Sequence, residues 1–315
     1  SIPGEINNLE EQISLKVSPQ VPEAGKPVEL TVNAYGTDIS KAKITWKVNG
    51  VVATNSVSIN TLSVNMGEIG KAVTVEVLFQ PFNGPLVSKK ITLIPGEIDL
   101  IWETDGYNPP FYKGKTFYGP EKNVRIVAIP NIYDAEGKKM NTGSLDFKWS
   151  KNREIEGSAS GLGKNIWQFN GWILLKPIEI EVTAGTENKV RGKKSFSLEP
   201  IFSEIRIYEN SPVYGTLFNI SMRGDKSLQT EEQTFEAYPF SIGASTREDA
   251  FLKYTWYMNG KVLYGTSNKP RLTVRNEKNE DGAAQISAKM DSSLFYFDQT
   301  SALFKLNFTK KDFEF

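Results

Sequence analysis

The chain has 315 residues, of which 37 are Lys or Arg and 37 are Asp or Glu, so its formal net charge is zero. It contains neither His nor Cys, which excludes disulfides, thiol chemistry, Cys- or His-ligated metals and most catalytic templates. The sequence has no basic block that could follow a phosphate backbone, so nucleic acid is not an expected partner.

The chain opens on residues 2–6, IPGEI, and the same five letters return at residues 94–98. The second copy lies where a first domain would end. We therefore interpret it as a linker and the first copy as a lead-in, with one helical turn at residues 7–12; a chance repetition is the alternative. No run of about 18 apolar residues is present, and a first residue other than Met leaves open that a signal or anchor segment has been removed.

A strand-like motif with one Trp occurs three times: ITWKVNG at residues 44–50, FKWSKNR at 147–153 and YTWYMNG at 254–260. Trp46, Trp149 and Trp256 are 103 and 107 residues apart, about the length of one immunoglobulin-type sandwich. An Asn follows each Trp by three residues, and Asn-Gly favours a tight hairpin turn. We predict one buried Trp in each of three domains, and a different turn type where Arg153 replaces Gly.

Within the first domain, apolar residues alternate at 13–17, 28–32 and 73–77, and a closing strand is expected at 89–94. This period of two, without helical periodicity, predicts an all-β fold of short strands. We predict three tandem immunoglobulin-like antiparallel β-sandwiches, with domains at residues 1–95, 96–199 and 200–315. The short linkers contain Pro, so we expect them to be semi-rigid and the chain to form an extended rod.

An insertion at residues 107–120 is dense in aromatic residues, Pro and Gly. Its five rings are those of Tyr107, Phe111, Tyr112, Phe117 and Tyr118. They are too many for an ordinary solvated loop. Either they pack over the junction of the first two domains or on the edge of their own sheet, or they form an exposed patch that binds a protein partner or a glycan.

The last residues of the chain carry Phe313 and Phe315, which have no expected place in the third core. Three outcomes are open for this tail. It packs on its own domain, precedes a removed anchor, or adds to the sheet edge of a neighbouring copy and so produces a filament. These two residues and the five rings of the insertion are the candidate partner-binding residues.

Two stretches resemble ligand-binding loops and fail on spacing. In residues 157–165, Ser158 and Asn165 stand where a phosphate loop needs Gly and Ser or Thr. The acidic turn at residues 277–282 has Ala288 where a calcium loop needs a carboxylate. Paired carboxylates of a glycosidase could meet only in space. We expect no catalytic, metal or cofactor site, and thus a non-enzymatic protein.

The Trp-x-x-Asn-Gly motif, the Cys-free tandem domains and the short Pro linkers resemble bacterial cell-surface immunoglobulin-like repeat proteins. More narrowly, residues 2–15, 109–115 and 127–131 look like three-domain immunoglobulin-like proteins of small-genome candidate-phylum bacteria. The resemblance implies an exported envelope protein and transfers no active residues.

From the residues and this resemblance together we expect a structural spacer or a protein-binding, adhesin-like rod at the cell envelope or surface. Its partner would be another protein or a second copy of the chain. No membrane contact is expected within the chain itself. The alternative is a glycan-binding accessory module of a larger envelope enzyme.

Overall fold

The computed structural model describes residues 13–35, 37–57, 59–171, 176–186, 189–228, 230–265 and 268–310. Within them, every regular element is a β-strand except for two 3-10 turns, Ile39–Lys41 and Thr142–Ser144. The prediction of an all-β chain is confirmed. None of the described residues forms a helix that is long and apolar enough to cross a membrane. The predicted lead-in and helical turn, residues 2–12, lie outside the described residues.

The first repeat contains β1 (Ile13–Ser18), β2 (Pro27–Ala34), β3 (Lys43–Val48), β4 (Val51–Val57), β5 (Thr61–Asn65), β6 (Val73–Gln80) and β7 (Val87–Leu93). These strands form two antiparallel sheets, ordered β1-β2-β5 and β4-β3-β6-β7. Alternate residues of both sheets, such as Leu30 in β2 and Val77 in β6, are buried in one shared core. The period of two in the sequence therefore corresponds to a two-sheet sandwich.

The second repeat contains β8 (Glu97–Thr104), β9 (Asn123–Asn131), β10 (Asp146–Lys151), β11 (Glu154–Ile155), β12 (Gly161–Leu162), β13 (Ile166–Asn170), β14 (Ile178–Thr186) and β15 (Lys189–Leu198). One sheet is ordered β13-β9-β8, and the other is ordered β11-β10-β14-β15 with β12 also beside β10. The buried rings of Trp149 and Trp167 lie 5.7 Å apart. Residues 157–165 contain β12 and connect β11 of one sheet to β13 of the other, so they are not the turn of a hairpin.

The third repeat contains β16 (Glu204–Ser211), β17 (Gly215–Ser221), β18 (Asp225–Ser227), β19 (Glu232–Phe240), β20 (Leu252–Met258), β21 (Lys261–Val262), β22 (Arg271–Arg275), β23 (Gly282–Ser292) and β24 (Gln299–Phe308). Its sheets are ordered β17-β16-β19-β22 and β18-β24-β23-β20-β21. Strand β18 runs parallel to β24. The core of this repeat includes Phe235 and Phe304, whose ring centroids are 4.9 Å apart.

By its internal contacts the chain divides into two compact units. The first consists of Ser1–Ile101, Ile126–Trp167 and Ile178–Ser197, and the second of Trp102–Arg125, Gln168–Pro177 and Leu198–Phe315. The aromatic insertion therefore belongs to the same unit as the third repeat. The predicted domain boundaries at residues 95 and 199 and the predicted rod stay predictions.

The repeated Trp has the same environment in each copy. Trp46, Trp149 and Trp256 are fully buried. Each indole N–H donates a hydrogen bond to a backbone carbonyl further along the chain: that of Ile59 at 3.3 Å, Lys164 at 2.9 Å and Lys269 at 3.1 Å. A buried indole needs such a partner, because an unpaired buried donor costs free energy. The prediction of one buried Trp per repeat is confirmed.

The repeated Asn fastens each hairpin turn to the neighbouring strand. The Oδ1 atoms of Asn49, Asn152 and Asn259 accept hydrogen bonds from the backbone N–H of Thr74, Glu179 and Gln285, at 2.9, 2.9 and 2.8 Å. The backbone N–H of each Asn donates to the carbonyl of the same partner residue. The motif thus joins the Trp strand to the next long strand of its sheet.

The second hairpin turn is not of a different type, so that prediction is wrong. Asn152 and Arg153 have φ of 51° and 72°, close to the 49° and 77° of Asn259 and Gly260. The contacts of Asn152 with the backbone of Glu179 impose the same turn on a residue that has a Cβ atom. Arg153 is therefore held in a left-handed conformation that favours glycine.

We expect Arg153→Gly to raise the free energy of unfolding by about 1 kcal/mol, because it removes the cost of a left-handed conformation for a residue with a Cβ atom. Urea unfolding followed by Trp fluorescence measures it. The matched control is Gly260→Arg, at the same position of the third turn, which should lower stability by a similar amount. An Arg153→Gly variant no more stable than the parent would contradict this account of the turn.

Candidate functional site

The aromatic insertion, residues 107–120, packs on the sheet of the third repeat that contains β19. The Phe111 ring stacks on Phe218 of β17, with centroids 4.0 Å apart and planes at 26°. It also makes edge contacts with Tyr208, Tyr238 and Phe240, at centroid distances of 5.6, 5.8 and 6.0 Å. With the repeat's own core on the opposite face, this packing buries almost every residue of β19.

The other rings of the insertion lie at different depths. Tyr112 contacts Phe240 edge to face at 5.7 Å and Phe117 at 6.0 Å. Tyr118 is fully buried, whereas Tyr107, Phe111, Tyr112 and Phe117 are half-buried. Phe111 and Tyr112 pack on the third repeat, which is neither of the packing places expected from the sequence. Phe313 and Phe315 lie outside the described residues. A partner-binding role for these seven residues stays a prediction.

A buried ion pair fastens the end of the insertion to the third repeat. Lys122 Nζ lies 3.2 Å from Asp298 Oδ1, and the two side chains are 2% and 4% exposed. Asp298 also accepts hydrogen bonds from the Ser203 hydroxyl and, at 2.5 Å, from the backbone N–H of Gly243. Several donors thus compensate a charge whose burial alone would be costly.

Backbone contacts near this ion pair complete the attachment. The Tyr107 N–H donates to the Ile242 carbonyl at 2.7 Å, and the Phe117 N–H donates to Ser241 Oγ at 3.0 Å. Gly106 has φ of 137°, and a Cβ there would lie 2.7 Å from the Ile242 carbonyl oxygen. Only glycine therefore permits the insertion to approach the segment after β19 this closely.

A second buried carboxylate, Glu236 of β19, lies beside Tyr238, one of the rings that Phe111 contacts, and is 2% exposed. It accepts hydrogen bonds from Arg271, Arg247, Asn210, Thr216 and Tyr238. The guanidinium of Arg247 also lies 4.0 Å above the Tyr238 ring. In the sequence, Glu236 shows only as a polar residue within an alternating strand, because its charged partners follow 11 and 35 residues later.

Opposing effects set the acidity of Glu236. Burial acts to raise the pKa of its carboxyl group, but hydrogen bonds from Arg271, Tyr238 and Thr216 and the charge of Arg247 lower that pKa below its usual value. The carboxylate is therefore held ionised with both oxygens occupied. In both buried carboxylates, Glu236 and Asp298, each oxygen accepts at least one hydrogen bond from the chain, so neither has the free oxygen that a general acid or base requires. Among the described residues, no three His, Cys, Asp or Glu side chains are grouped to hold a metal.

The second candidate site is the free edge of β4 in the first repeat. β4 has seven residues, VVATNSV, contains no charge and no Pro, and ends its sheet. Val51 and Val52 are 72% and 54% exposed. The strands in the corresponding place beside the other two Trp strands, β11 and β21, have two residues each, one of them charged.

Edge strands in soluble proteins are normally short, charged, bulged or covered, because an open row of N–H and C=O groups pairs with other chains. β4 pairs with β3 from Val48↔Val51 to Lys43↔Val57, and the register shifts once between Trp46 and Lys47. β4 thus has one irregularity of the kind that protects an edge, but it is neither short nor charged. Within the described part of the chain, no strand pairs with its outer side. The sequence did not identify β4 as an open edge strand, because VVATNSV lacks the strict alternation of apolar and polar residues that indicates a half-buried strand.

Known protein families and curated proteins contain no match to this chain. Several solved structures are similar at low identity. The three N-terminal domains of the bacteriophage RB49 highly immunogenic outer capsid protein are 14% identical over 96% of this chain and 99% of that one, with a TM-score of 0.26. The central fibronectin-III array of RIM-binding protein is 12% identical over 92% and 95%, with a TM-score of 0.29.

Immunoglobulin domains 1–4 of Sidekick-1 are 11% identical over 94% of this chain and 74% of that one, with a TM-score of 0.22. The neighbours are thus tandem-domain proteins, including immunoglobulin and fibronectin type III arrays. The paired sheets and their shared cores in this chain are themselves those of β-sandwiches.

We expect Lys122→Met to lower the free energy of unfolding by about 3 to 5 kcal/mol, because it leaves Asp298 buried without a counter-charge. Urea unfolding of the full chain measures the loss. Lys113→Met, which removes an exposed Lys of the same insertion, should change stability by less than about 0.5 kcal/mol. If Lys122→Met were equally harmless, the ion pair would not hold the insertion.

Lys122→Met combined with Asp298→Asn should cost less than the sum of the two single changes, because the double variant buries no unpaired charge. The difference is the coupling free energy of the pair, which a double-mutant cycle of urea midpoints measures. Additive costs would contradict a direct interaction between the two side chains.

We expect the ionised Glu236 carboxylate to make the free energy of unfolding decrease in acid. Its pKa in the folded state lies below that of the unfolded chain, roughly 4.3. Its contribution is therefore complete above that pH and disappears as the pH falls through the folded pKa. We expect urea midpoints measured from pH 7 to pH 3 to fall less steeply for Glu236→Gln than for the parent. The control Glu231→Gln changes an exposed carboxylate, and parallel curves for all three proteins would contradict this role of Glu236.

Proposed function

We propose that the chain is a non-enzymatic, exported component of the cell envelope or surface, which acts as a spacer and binds a second copy of itself. The single observation that carries the binding part is the open edge of β4. The proposed role as a spacer is supported by the three tandem β-sandwiches, which are folded without disulfides. The resemblance to bacterial cell-surface immunoglobulin-like repeat proteins supports export.

The chemistry of the edge favours a second copy as the partner. β4 carries no charged residue, so two identical edges meet without the repulsion that opposed like charges produce. The whole chain has a net charge of zero, and long-range repulsion between copies is therefore small. Antiparallel pairing of β4 with β4 of another copy uses the same surface on both, which gives a closed two-fold dimer.

The polar interior of the second unit supports a non-enzymatic role. Its two buried carboxylates, Asp298 and Glu236, are compensated by cations and hydrogen-bond donors of the chain itself. The glycan-binding alternative needs two or three exposed rings side by side, whereas the stacked rings of Phe111 and Phe218 face each other. No observation favours that alternative, and it stays a prediction.

Light scattering of the chain over a range of concentrations tests the proposal. We expect a dimer that dissociates on dilution. The double variant Val51→Lys/Val52→Lys places charges on the exposed start of β4, and it should weaken association by at least about tenfold in Kd, or ~1.4 kcal/mol.

The control is Ile155→Lys, which adds a charge to an exposed residue of the short strand β11 in the second repeat, 58% exposed. It should dimerise as the parent does. A parent chain that is monomeric at all concentrations, or a control that weakens association equally, would rule out pairing through β4.

A further inference from the structure

A groove of about 450 Å³ opens in the first unit, distant in sequence from β4. Its apolar wall includes Leu15 and Val17 of β1 and Leu93 of β7, and the start of β15 forms the other side. Seven of the residues that line it are apolar. The volume and the mixture of an apolar wall with a few polar groups are those of small-molecule sites.

The charged groups that line the groove are all positive. Lys16, Lys189 and Arg191 are its charged lining residues, and no described residue that lines it is acidic. Arg191 Nε is buried and has no hydrogen-bond partner within the described residues. No ion pair to Arg191 or Lys189 is formed in the described part of the chain, although Lys189 Nζ donates to the Thr92 carbonyl at 3.3 Å. An unpaired buried donor is costly and calls for a partner.

The two cations of β15 that line the groove also affect each other. Burial and, second, the positive charge of Arg191 lower the pKa of Lys189. An anion placed at the two side chains removes this repulsion and supplies the missing acceptor for Arg191 Nε. The backbone of β15 is held here by close packing on the linker, since a Cβ on Gly96 would lie 2.3 Å from the Arg191 carbonyl oxygen.

We propose that this groove binds a carboxylate attached to an apolar group, of the size of a medium-chain fatty acid. The carboxylate accepts hydrogen bonds from Arg191 and Lys189. Such bonds are strong because both the donors and the acceptor are charged. The hydrocarbon lies along Leu15, Val17 and Leu93. The site is independent of the β4 edge and of self-association.

Calorimetric titration with decanoate, below its micelle concentration, tests the proposal on the full chain. We expect decanoate to bind, and decanol and decyltrimethylammonium to bind at least about tenfold more weakly, because they lack the carboxylate. Lys189→Gln/Arg191→Gln should weaken decanoate binding by a similar factor. The control Lys193→Gln removes a charge from the same strand, where Lys193 pairs with Glu181 instead of lining the groove, and should bind as the parent does.

A second measurement does not depend on the variants. In the parent chain, the NMR resonance of the Arg191 Nε–H group should shift as decanoate is added, because that group gains an acceptor. The proposal is wrong if the neutral or cationic amphiphile binds as tightly, or if Lys193→Gln is equally affected.

The acidic residues Glu5, Glu10 and Glu11 of the same chain offer another anionic occupant. If decanoate binds only after all three are changed to Gln, the groove belongs to the chain's own first residues, and the proposal of a separate ligand is overturned.

Discussion

The second unit depends on one buried interaction, the ion pair of Lys122 with Asp298. The two side chains are 176 residues apart in the chain and fully desolvated, so neither could be buried without the other. Their pairing, with Ser203 and the Gly243 N–H, fixes the end of the insertion. Once the insertion is fixed, its rings cover the outer face of the sheet that contains β19. Strand β19 is therefore buried on both of its faces, although it belongs to a sandwich in which one face of a strand normally meets solvent.

The two buried carboxylates of this unit, Asp298 and Glu236, favour one packing arrangement through their ion pairs and hydrogen bonds. Glu236 is neutralised by Arg247 and Arg271 and hydrogen-bonded on both oxygens. If the insertion packed elsewhere, Asp298 would lose Lys122. If β22 packed elsewhere, Glu236 would lose Arg271. Either loss would cost several kcal/mol, because a buried charge would lack its partner. A satisfied network of this kind favours one arrangement over others, which suits a protein whose proposed role is to hold surfaces at fixed positions.

The first unit differs from the second in what it leaves open. The three repeats share the buried Trp and the Asn that fastens the hairpin, so the strand after the turn begins in the same way in each. In the second and third repeats that strand stops after two residues, and in the first it continues for seven. Its backbone groups on the outer side thus remain available. The groove lined by Lys189 and Arg191 is another unsatisfied feature of this unit, because Arg191 Nε lacks a hydrogen-bond partner within the described residues.

The sequence by itself determined the all-β class, the three repeats and the burial of Trp46, Trp149 and Trp256. These follow from alternation, turn residues and spacing, which are local signals. It also located the insertion and its rings, but not their contacts. Only the tertiary structure decided where the insertion packs, that Lys122 meets Asp298, which edge is open, and that Arg153 adopts the turn of a glycine. Each of these depends on residues that are distant in sequence and meet only after folding, where the burial of charge and the backbone contacts of neighbouring strands outweigh local preference.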